Sequence, residues 1–195
     1  MDAFQIKVTL RDVRPPLWRR FVVPAAISLK SLHDVVQIAM GWLDCHLYSF
    51  ESGGRRFIDP ERMDDPWGEW SDVRETTLAS LGPKAGSRIK YSYDFGDGWE
   101  HDLLVESVVQ RGEVDALPVC VKGRRECPPE DCGGPFGYAQ LLAGMEDPDG
   151  ADPELLEWIP DDFDPAAFDL DEVNCALRVE FPATGGGVLP FLDPQ

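Results

Sequence analysis

The sequence predicts a two-layer α+β domain, in which one long helix packs across a mainly antiparallel sheet and short helices follow near the C-terminus. Three observations predict this class. Several segments alternate apolar and polar residues as half-buried strands do, one segment has helical apolar spacing, and turn-forming residues separate them. The 195 residues suit a single domain. We expect it to span residues 1–180, with an acidic helical portion at about 135–180 and a flexible tail at 181–195.

Two strands are predicted near the N-terminus. Phe4, Ile6, Val8 and Leu10 alternate with polar residues, which is typical of a strand with one buried face. A second strand is predicted over residues 18–23. It follows two prolines, which cannot donate to a sheet ladder and therefore belong at the start of a strand or on an edge.

The segment from 28 to 41 has the clearest helical pattern. Ser28 is a candidate N-cap, and Gly41 is a candidate C-terminal stop. We expect His33, at the margin of the apolar stripe, to be packed and hydrogen-bonded rather than a ligand. The stripe itself consists of Leu29, Leu32, Val35, Val36, Ala39 and Met40.

The residues that follow this helix, 41–53, are predicted to form a strand that contains Cys45 and His46 next to each other. Neighbouring side chains in a strand face opposite sides of the sheet. On this interpretation, at most one of the two side chains points into any given site.

The segment from 88 to 109 predicts a β-hairpin. A three-residue loop, Gly96 to Gly98, would pair Phe95 with Trp99 and Tyr93 with His101, and would place a glycine before the return strand. This register turns His101 toward the apolar side, where its ring needs a partner. That partner is either a tyrosine hydroxyl, a carboxylate or a backbone carbonyl, or it is a metal ion.

The metal hypothesis combines His101 with Cys120, Cys127 and Cys132. If the strand that ends near residue 110 turns back and pairs with residues 117–121, Cys120 approaches the hairpin, and the other two cysteines lie on the following loop. Three sulfurs and one imidazole would form a closed, structural zinc site, although the C-x6-C-x4-C spacing differs from the usual C-x2-C knuckle. His46 is the alternative fourth ligand.

Other chemistry is less well supported by the sequence. A thiol nucleophile, one of the loop cysteines paired with His101, would need an exposed sulfur with a lowered pKa. Glu130 and Asp131 could act as acid/base groups, or could orient a histidine bound to a metal. No phosphate-binding loop and no G-x-S-x-G nucleophile elbow is present.

The charge distribution is strongly acidic, with a net charge of −18. Twelve acidic residues and no basic residue lie between Glu146 and Glu172. This acidic face is a candidate contact for an unknown protein partner, and it makes nucleic-acid binding unfavourable. Arg14, Arg19 and Arg20 form the one concentrated basic patch, which we interpret mainly as edge charges.

After the cysteine-rich loop, helices are predicted over 137–145 and 153–158, and an apolar stripe continues over 163–177. The blocks PPLWRRFVVP, SLHDVVQIAMGW, HLYSF, YDFGDGWEHDLLVE, PVCVKGRRECPPEDCGGPFGYAQLL and FDPAAFDLDEVN together resemble the plasmid pRiA4b ORF-3-like family. The resemblance implies a single α+β domain associated with plasmids or insertion elements. It implies no particular reaction.

The expected function is therefore a small cytoplasmic binding or accessory module, stapled by zinc and associated with mobile elements, rather than an enzyme. The first alternative is a metal- or thiol-dependent enzyme that uses the region of Cys120, Cys127, Cys132 and His101. The second is a DNA-transaction protein, which would need a positive surface around the three arginines. No membrane span is predicted, because no stretch reaches the roughly 20 apolar residues needed.

Overall fold

The computed structural model describes residues 3–63, 68–110, 117–148, 159–160 and 162–182. The helix predicted at 153–158 and nearly all of the predicted tail lie outside these ranges. The strands are β1 (Ala3–Leu10), β2 (Trp18–Pro24), β3 (Tyr48–Ser52), β4 (Arg55–Ile58), β5 (Trp70–Asp72), β6 (Arg88–Tyr93), β7 (Trp99–Val109) and β8 (Val119–Arg124), and the helices are α1 (Leu29–Met40), α2 (Gly134–Glu146) and α3 (Leu170–Glu180).

The strands form one eight-stranded sheet in the order β5-β4-β3-β6-β7-β1-β2-β8. The α+β class is confirmed, and the sheet is mixed, because the short β5 pairs parallel with β4. The three helices have 12, 13 and 11 residues, so α1 is not distinguished by its length. No helix in the described part of the chain is long and apolar enough to cross a membrane.

The first two strands follow the predicted alternation. Phe4, Ile6, Val8 and Leu10 are buried, and the residues between them are partly exposed. Burial of each large apolar side chain contributes about 1.5–3 kcal/mol to folding. Because β1 pairs with β2 on one side and with β7 on the other, this strand lies inside the sheet and its buried face belongs to the main core.

Helix α1 begins and ends where the sequence predicts. The Ser28 side chain accepts a hydrogen bond from Ser31 N, and Gly41 adopts the left-handed conformation (φ 76°) that closes a helix C-terminus. The apolar stripe is buried against the sheet, while Lys30 and Asp34 pair on the outer surface at 2.5 Å. The amphipathic pattern thus sets which face of the helix covers the sheet.

The hairpin register differs from the prediction by two residues. Tyr93 pairs with Trp99 and Tyr91 pairs with His101, so the loop is longer than three residues and Phe95 lies in it, 46% exposed. The cause is Asp94, whose backbone is left-handed (φ 52°) and whose carbonyl accepts a hydrogen bond from Gly98 N at 2.6 Å. A shift of two keeps the same face inward, and His101 is fully buried as expected.

The strand predicted to return beside the hairpin does not pair with it. β8 pairs with β2, and Cys120 lies opposite Phe21. Strands β1 and β2 therefore separate Cys120 from His101 on β7. Three steps between neighbouring strands correspond to about 14 Å across the sheet. The pairing that would have joined Cys120 to the hairpin is wrong, because β1 already occupies the free edge of β7.

Helix α3 lies beside the outermost strand, β8. Its N-cap is Asp169, whose carboxylate accepts hydrogen bonds from Asp171 N and Glu172 N. Its Asn174 side chain donates to the Cys120 carbonyl and accepts from Cys120 N, both at 2.8 Å. One amide side chain thus bonds both backbone groups that Cys120 presents on the side of β8 away from β2.

A closed hydrogen-bond network fastens α1 to the sheet. The Tyr91 hydroxyl lies 2.7 Å from His33 Nδ1 and accepts a hydrogen bond from Gln37 Nε2 at 2.9 Å. His33 Nε2 lies 2.8 Å from Asp44 Oδ1, and the Asp44 amide donates to Gln37 Oε1. These contacts suit a neutral imidazole that donates to Asp44 and accepts from Tyr91. His33 is therefore the packed, hydrogen-bonded residue that its position predicts.

Replacing Tyr91 with Phe tests this network. The substitution leaves His33 Nδ1 and the Gln37 amide without their partner in a buried place, so we expect the free energy of unfolding to fall by about 1–3 kcal/mol. The matched control is Tyr48→Phe. The Tyr48 ring stacks on His33 with centroids 3.6 Å apart, but its buried hydroxyl has no hydrogen-bond partner among the described residues. Urea unfolding of both variants should show a loss only for Tyr91→Phe; equal losses would contradict the network.

Candidate functional site

The loop between α1 and β3, residues 41–47, carries Cys45 and His46. It is held against the segment between β8 and α2 by two hydrogen bonds. Trp42 Nε1 donates to the Pro128 carbonyl at 2.9 Å, and Leu43 N donates to Glu130 Oε1 at 2.8 Å. The predicted strand over 41–53 is therefore shorter than expected, because residues 43–47 are loop and only Tyr48–Ser52 pair in the sheet.

The Tyr93 hydroxyl connects the two segments at the end of β6. It accepts a hydrogen bond from Cys45 N at 3.2 Å and donates to Glu130 Oε1 at 3.0 Å. Burial raises the pKa of Tyr93, and the neighbouring Glu130 charge raises it further. The phenol therefore stays protonated and keeps Glu130 Oε1 engaged, so that the second carboxylate oxygen, Oε2, is left to face His46.

His46 is surrounded by carboxylates. Its Nε2 lies 3.1 Å from Asp131 Oδ1, 3.7 Å from Asp94 Oδ2 and 3.8 Å from Glu130 Oε2. None of these contacts has hydrogen-bond geometry, and both His46 Nε2 and Glu130 Oε2 are buried atoms without a hydrogen-bond partner among the described residues. Three carboxylate oxygens thus lie around one ring nitrogen, and we call His46, Asp94, Glu130 and Asp131 the His46 cluster.

Backbone conformation explains why these carboxylates converge. Asp94 and Asp131 both have left-handed backbones, with φ of 52° and 55°, which non-glycine residues seldom adopt. Asp94 Oδ1 accepts hydrogen bonds from Gly96 N and Asp97 N, so its other oxygen is left toward His46. Asp97 Oδ2 in turn accepts from Gly133 N at 3.1 Å, which ties the hairpin loop to the start of α2.

Three groups of candidate metal-ligating side chains occur in the described ranges. Two of them share His46: one adds Cys45 and Glu130, the other Asp94 and Asp131. The third group is His33, Asp34 and Asp44, but both ring nitrogens of His33 serve the network under α1 and Asp44 also pairs with Arg62. His46 is therefore the residue on which a cation site would centre. Cys45 and His46 reach the same cluster because they lie in a loop rather than in a strand.

The predicted sulfur ligands are not brought together with His101. Cys120, Cys127, Cys132 and His101 belong to none of the three groups. The Cys120 sulfur lies 3.7 Å from the Lys122 carbonyl on the outer strand β8. Both carbonyls near His101 Nδ1, at 3.1 and 3.3 Å, come from its own hairpin. Zinc binding by this set stays a prediction that would need the strands to rearrange.

The three predicted basic residues do not form an exposed patch. Arg19 is only 2% exposed, and Arg20 pairs with Glu106 through two bonds of 2.6 and 2.8 Å. Of the three, Arg14 alone is exposed. Within the acidic segment 146–172, residues 149–158 and 161 lie outside the described ranges, so the structure describes this segment at 146–148, 159–160 and 162–172.

Comparison with known proteins identifies the family of this chain. The model of the plasmid pRiA4b ORF-3-like protein family matches residues 2–172. The chain belongs to this family. The chain is also 40% identical over 180 residues to the uncharacterized protein y4hQ of Sinorhizobium fredii, and the match covers 90% of this chain and 91% of that protein.

A solved structure is similar to this fold. The crystal structure of the protein of unknown function MM3350 from Methanosarcina mazei Go1 superposes with a TM-score of 0.79 at 29% identity, over 88% of this chain and 96% of the other. The family match includes every residue of the His46 cluster, so the cluster lies inside the shared domain rather than in an added segment.

Part of this site is predicted by the sequence. His46 is the alternative metal ligand there, and Glu130 and Asp131 are acid/base groups or partners that orient a metal-bound histidine, whereas Asp94 is not predicted. The available signal was the YDFGDG turn, in which an aspartate precedes a glycine-rich loop and can bond the following amides. The sequence does not predict that these side chains lie close together, because their proximity depends on Tyr93 and on the conformation of the loop between α1 and β3.

The pH dependence of stability tests the burial of His101. Burial lowers the pKa of His101 to about 4, whereas an unfolded histidine titrates near 6.5. Between these values the unfolded chain binds the extra proton. The His101 ring therefore does not lower the free energy of unfolding above pH ~6.5. Below this pH, it lowers the free energy of unfolding by up to about 3 kcal/mol as the pH drops toward 4. His101→Phe should flatten this part of the curve of unfolding free energy against pH, whatever its own stability. An unchanged drop would contradict the assignment.

Thiol reactivity tests the placement of the five cysteines. Cys45 and Cys175 are exposed, whereas Cys120, Cys127 and Cys132 are buried. Burial raises the pKa of Cys127 to about 11 and that of Cys132 to about 12, so both remain unreactive thiols at neutral pH. A disulfide reagent should modify two thiols of the native protein promptly and the other three only after unfolding. In the double variant Cys45→Ser, Cys175→Ser the prompt phase should vanish; a third prompt thiol would contradict this placement.

Proposed function

We propose that the protein is a small cytoplasmic binding module, associated with mobile elements, whose functional centre is a divalent-cation site at His46. The plasmid origin in the family's description supports the association. The observation that carries the cation site is the buried His46 Nε2, which has three carboxylate oxygens within 3.8 Å and no hydrogen bond among the described residues. The expected zinc would then be bound by nitrogen and oxygen atoms around His46 rather than by the sulfur-rich set.

The distances within the cluster support a shared ion. Imidazole nitrogen and carboxylate oxygen bind zinc at about 2.0–2.2 Å, so two donors on one ion lie roughly 3.0–3.5 Å apart. The contacts from His46 Nε2 run from 3.1 to 3.8 Å. Asp94 and Asp131 form one candidate group with His46, and Glu130 forms another with Cys45 and His46, so an ion at the ring would take its further ligands from one of these two groups.

Electrostatics supports the same conclusion. Three carboxylates lie around one ring nitrogen, and the hydrogen bonds that Asp94 and Glu130 accept from described residues occupy only one oxygen of each. The oxygens of Asp94 and Asp131 lie within 4.8 Å of each other, and like charges this close disfavour one another unless a cation lies between them. A divalent ion would offset this repulsion, and His and carboxylate donors together suit Zn²⁺ among the common metals.

A metal-dependent enzyme is the second candidate function, and the exposure of the site favours it. The Asp131 side chain is 57% exposed and that of His46 is 27% exposed, so solvent reaches the cluster. An ion here would keep a coordination position open to water, which is the arrangement of catalytic rather than structural zinc sites. The Cys45 sulfur lies in the same cluster and could complete the donor set.

Zinc titration of the purified protein, stripped with chelator, tests the proposal. We expect one equivalent of Zn²⁺ to bind in calorimetry or in competition with a chromophoric chelator. His46→Ala should weaken binding by tenfold or more, in line with loss of a ligand, and Asp131→Asn should weaken it less because that carboxylate is more exposed. Thermal unfolding should show stabilisation of the wild type by zinc and none of His46→Ala.

Two further variants separate this site from the sulfur-rich set. Cys120→Ser should leave zinc affinity unchanged. Cys120 lies on the outer strand β8, whereas Asp94, which faces His46, follows β6 on the other side of β2, β1 and β7. Cys45→Ser reports whether the exposed thiol is a ligand, since thiolate coordination to Co²⁺ gives a charge-transfer absorption that this variant would remove. Zinc binding that survives His46→Ala and is lost in Cys120→Ser would overturn the proposal in favour of the sulfur set.

A further inference from the structure

A groove separate from the His46 cluster lies between the C-terminal end of α1, the loop 126–130 and helix α3. Its cavity volume is about 410 Å³, within the range of ligand-binding pockets. The apolar part of its lining includes Met40, Trp42, Pro128, Phe163, Phe168 and Val173. Much of this surface comes from rings and from the restricted backbone of the Cys127–Glu130 loop, so the groove is largely preformed.

The floor of the groove contains a buried cation, Arg19, whose donors are directed at the protein. Its Nε donates to the Ala39 carbonyl at 2.8 Å, and one terminal nitrogen donates to the carbonyls of Trp18 and Arg124 at 3.1 and 3.0 Å. The Phe168 ring stacks over the guanidinium at 4.4 Å. Carbonyl dipoles, including one at the C-terminus of α1, therefore offset the charge of Arg19. The N–H groups that make these bonds are not available to an occupant of the groove.

The rim of the groove is acidic on both walls. Glu126 lies on the loop side, and Asp169 and Glu172 lie on α3. Glu126 accepts a hydrogen bond from Asp164 N and Asp169 caps α3, so these carboxylates have fixed positions. Among the described residues that line the groove, Arg19 alone is basic. An occupant therefore meets apolar rings at the centre and negative charge on either side.

We propose that this groove binds a peptide segment of a partner protein that presents a lysine or arginine beside apolar side chains. Apolar side chains would cover the rings, and the basic side chain would pair with the rim carboxylates. Carboxylates on both walls favour a peptide, because its main-chain N–H groups can also donate to them. A phosphate-bearing occupant would be repelled by the same rim.

Peptide binding in the groove is independent of the cation site. Glu130 is the residue that the groove shares with the His46 cluster, and its two bonded donors, Leu43 N and the Tyr93 hydroxyl, belong to the cluster side. His46→Ala should therefore leave peptide binding unchanged. Glu172, Val173 and Ala176 lie on α3, outside every candidate metal group found in the described ranges.

The test is fluorescence anisotropy with three labelled synthetic peptides of equal length. The first alternates leucine and lysine, the second replaces lysine with glutamate, and the third replaces leucine with serine. We expect the full-length protein to bind the first peptide, with affinity that falls as salt rises, and to bind the other two about tenfold or more weakly. Equal binding of the lysine and glutamate peptides would overturn the proposal.

Matched variants locate the binding. Glu172→Lys reverses an exposed rim charge and should weaken the leucine-lysine peptide about tenfold, whereas Glu180→Lys reverses an exposed charge at the far end of the same helix and should have little effect. Ala176→Trp, at an exposed position on the groove wall, should block binding by filling the groove. Equal effects of the two charge reversals would overturn the proposal, as would absence of peptide binding together with a dimer that Ala176→Trp dissociates.

Discussion

The Tyr91 hydroxyl is the contact on which most of this structure depends. It lies in the middle of the sheet and meets two residues of α1, so it fixes both the position of the helix and its rotation about its own axis. The chain that leaves α1 carries Cys45 and His46, and the last turn of the same helix forms one wall of the acidic groove. Both candidate binding regions are therefore positioned by a single hydrogen-bonded junction between helix and sheet.

The carboxylates of the two candidate binding regions have structurally different arrangements. Around His46, carboxylates are held by left-handed backbone and by Tyr93, so that several oxygens point at one ring nitrogen. Around the groove, carboxylates lie on opposite walls with aromatic rings between them. The first arrangement suits a small ion that can be surrounded, and the second suits an extended occupant that reaches from wall to wall. The total charge of −18 alone does not distinguish the two.

The sequence predicts local structure better than it predicts which strands pair in the sheet. The alternation of β1 and the caps of α1 follow from neighbouring residues, and the structure confirms both. The partner of β8 does not follow from local pattern, because any free edge of the right length satisfies it, and β2 rather than β7 has that edge. The hairpin register depended on one residue, Asp94, whose left-handed backbone is unusual. The pairing of β8 with β2 keeps Cys120 apart from His101. The unusual backbone of Asp94 is the reason that the sequence does not predict this residue at the site.

The amide of Asn174 has a consequence for how this protein can meet other chains. An outer strand normally offers unpaired backbone groups along which another chain can add a strand of its own. On β8, the free groups of Cys120 are already bonded to a side chain held on a helix. At this edge, strand addition is obstructed, and edge-to-edge aggregation is discouraged in the same way. Recognition of a partner on this side of the molecule must therefore use side chains and surface shape rather than backbone pairing.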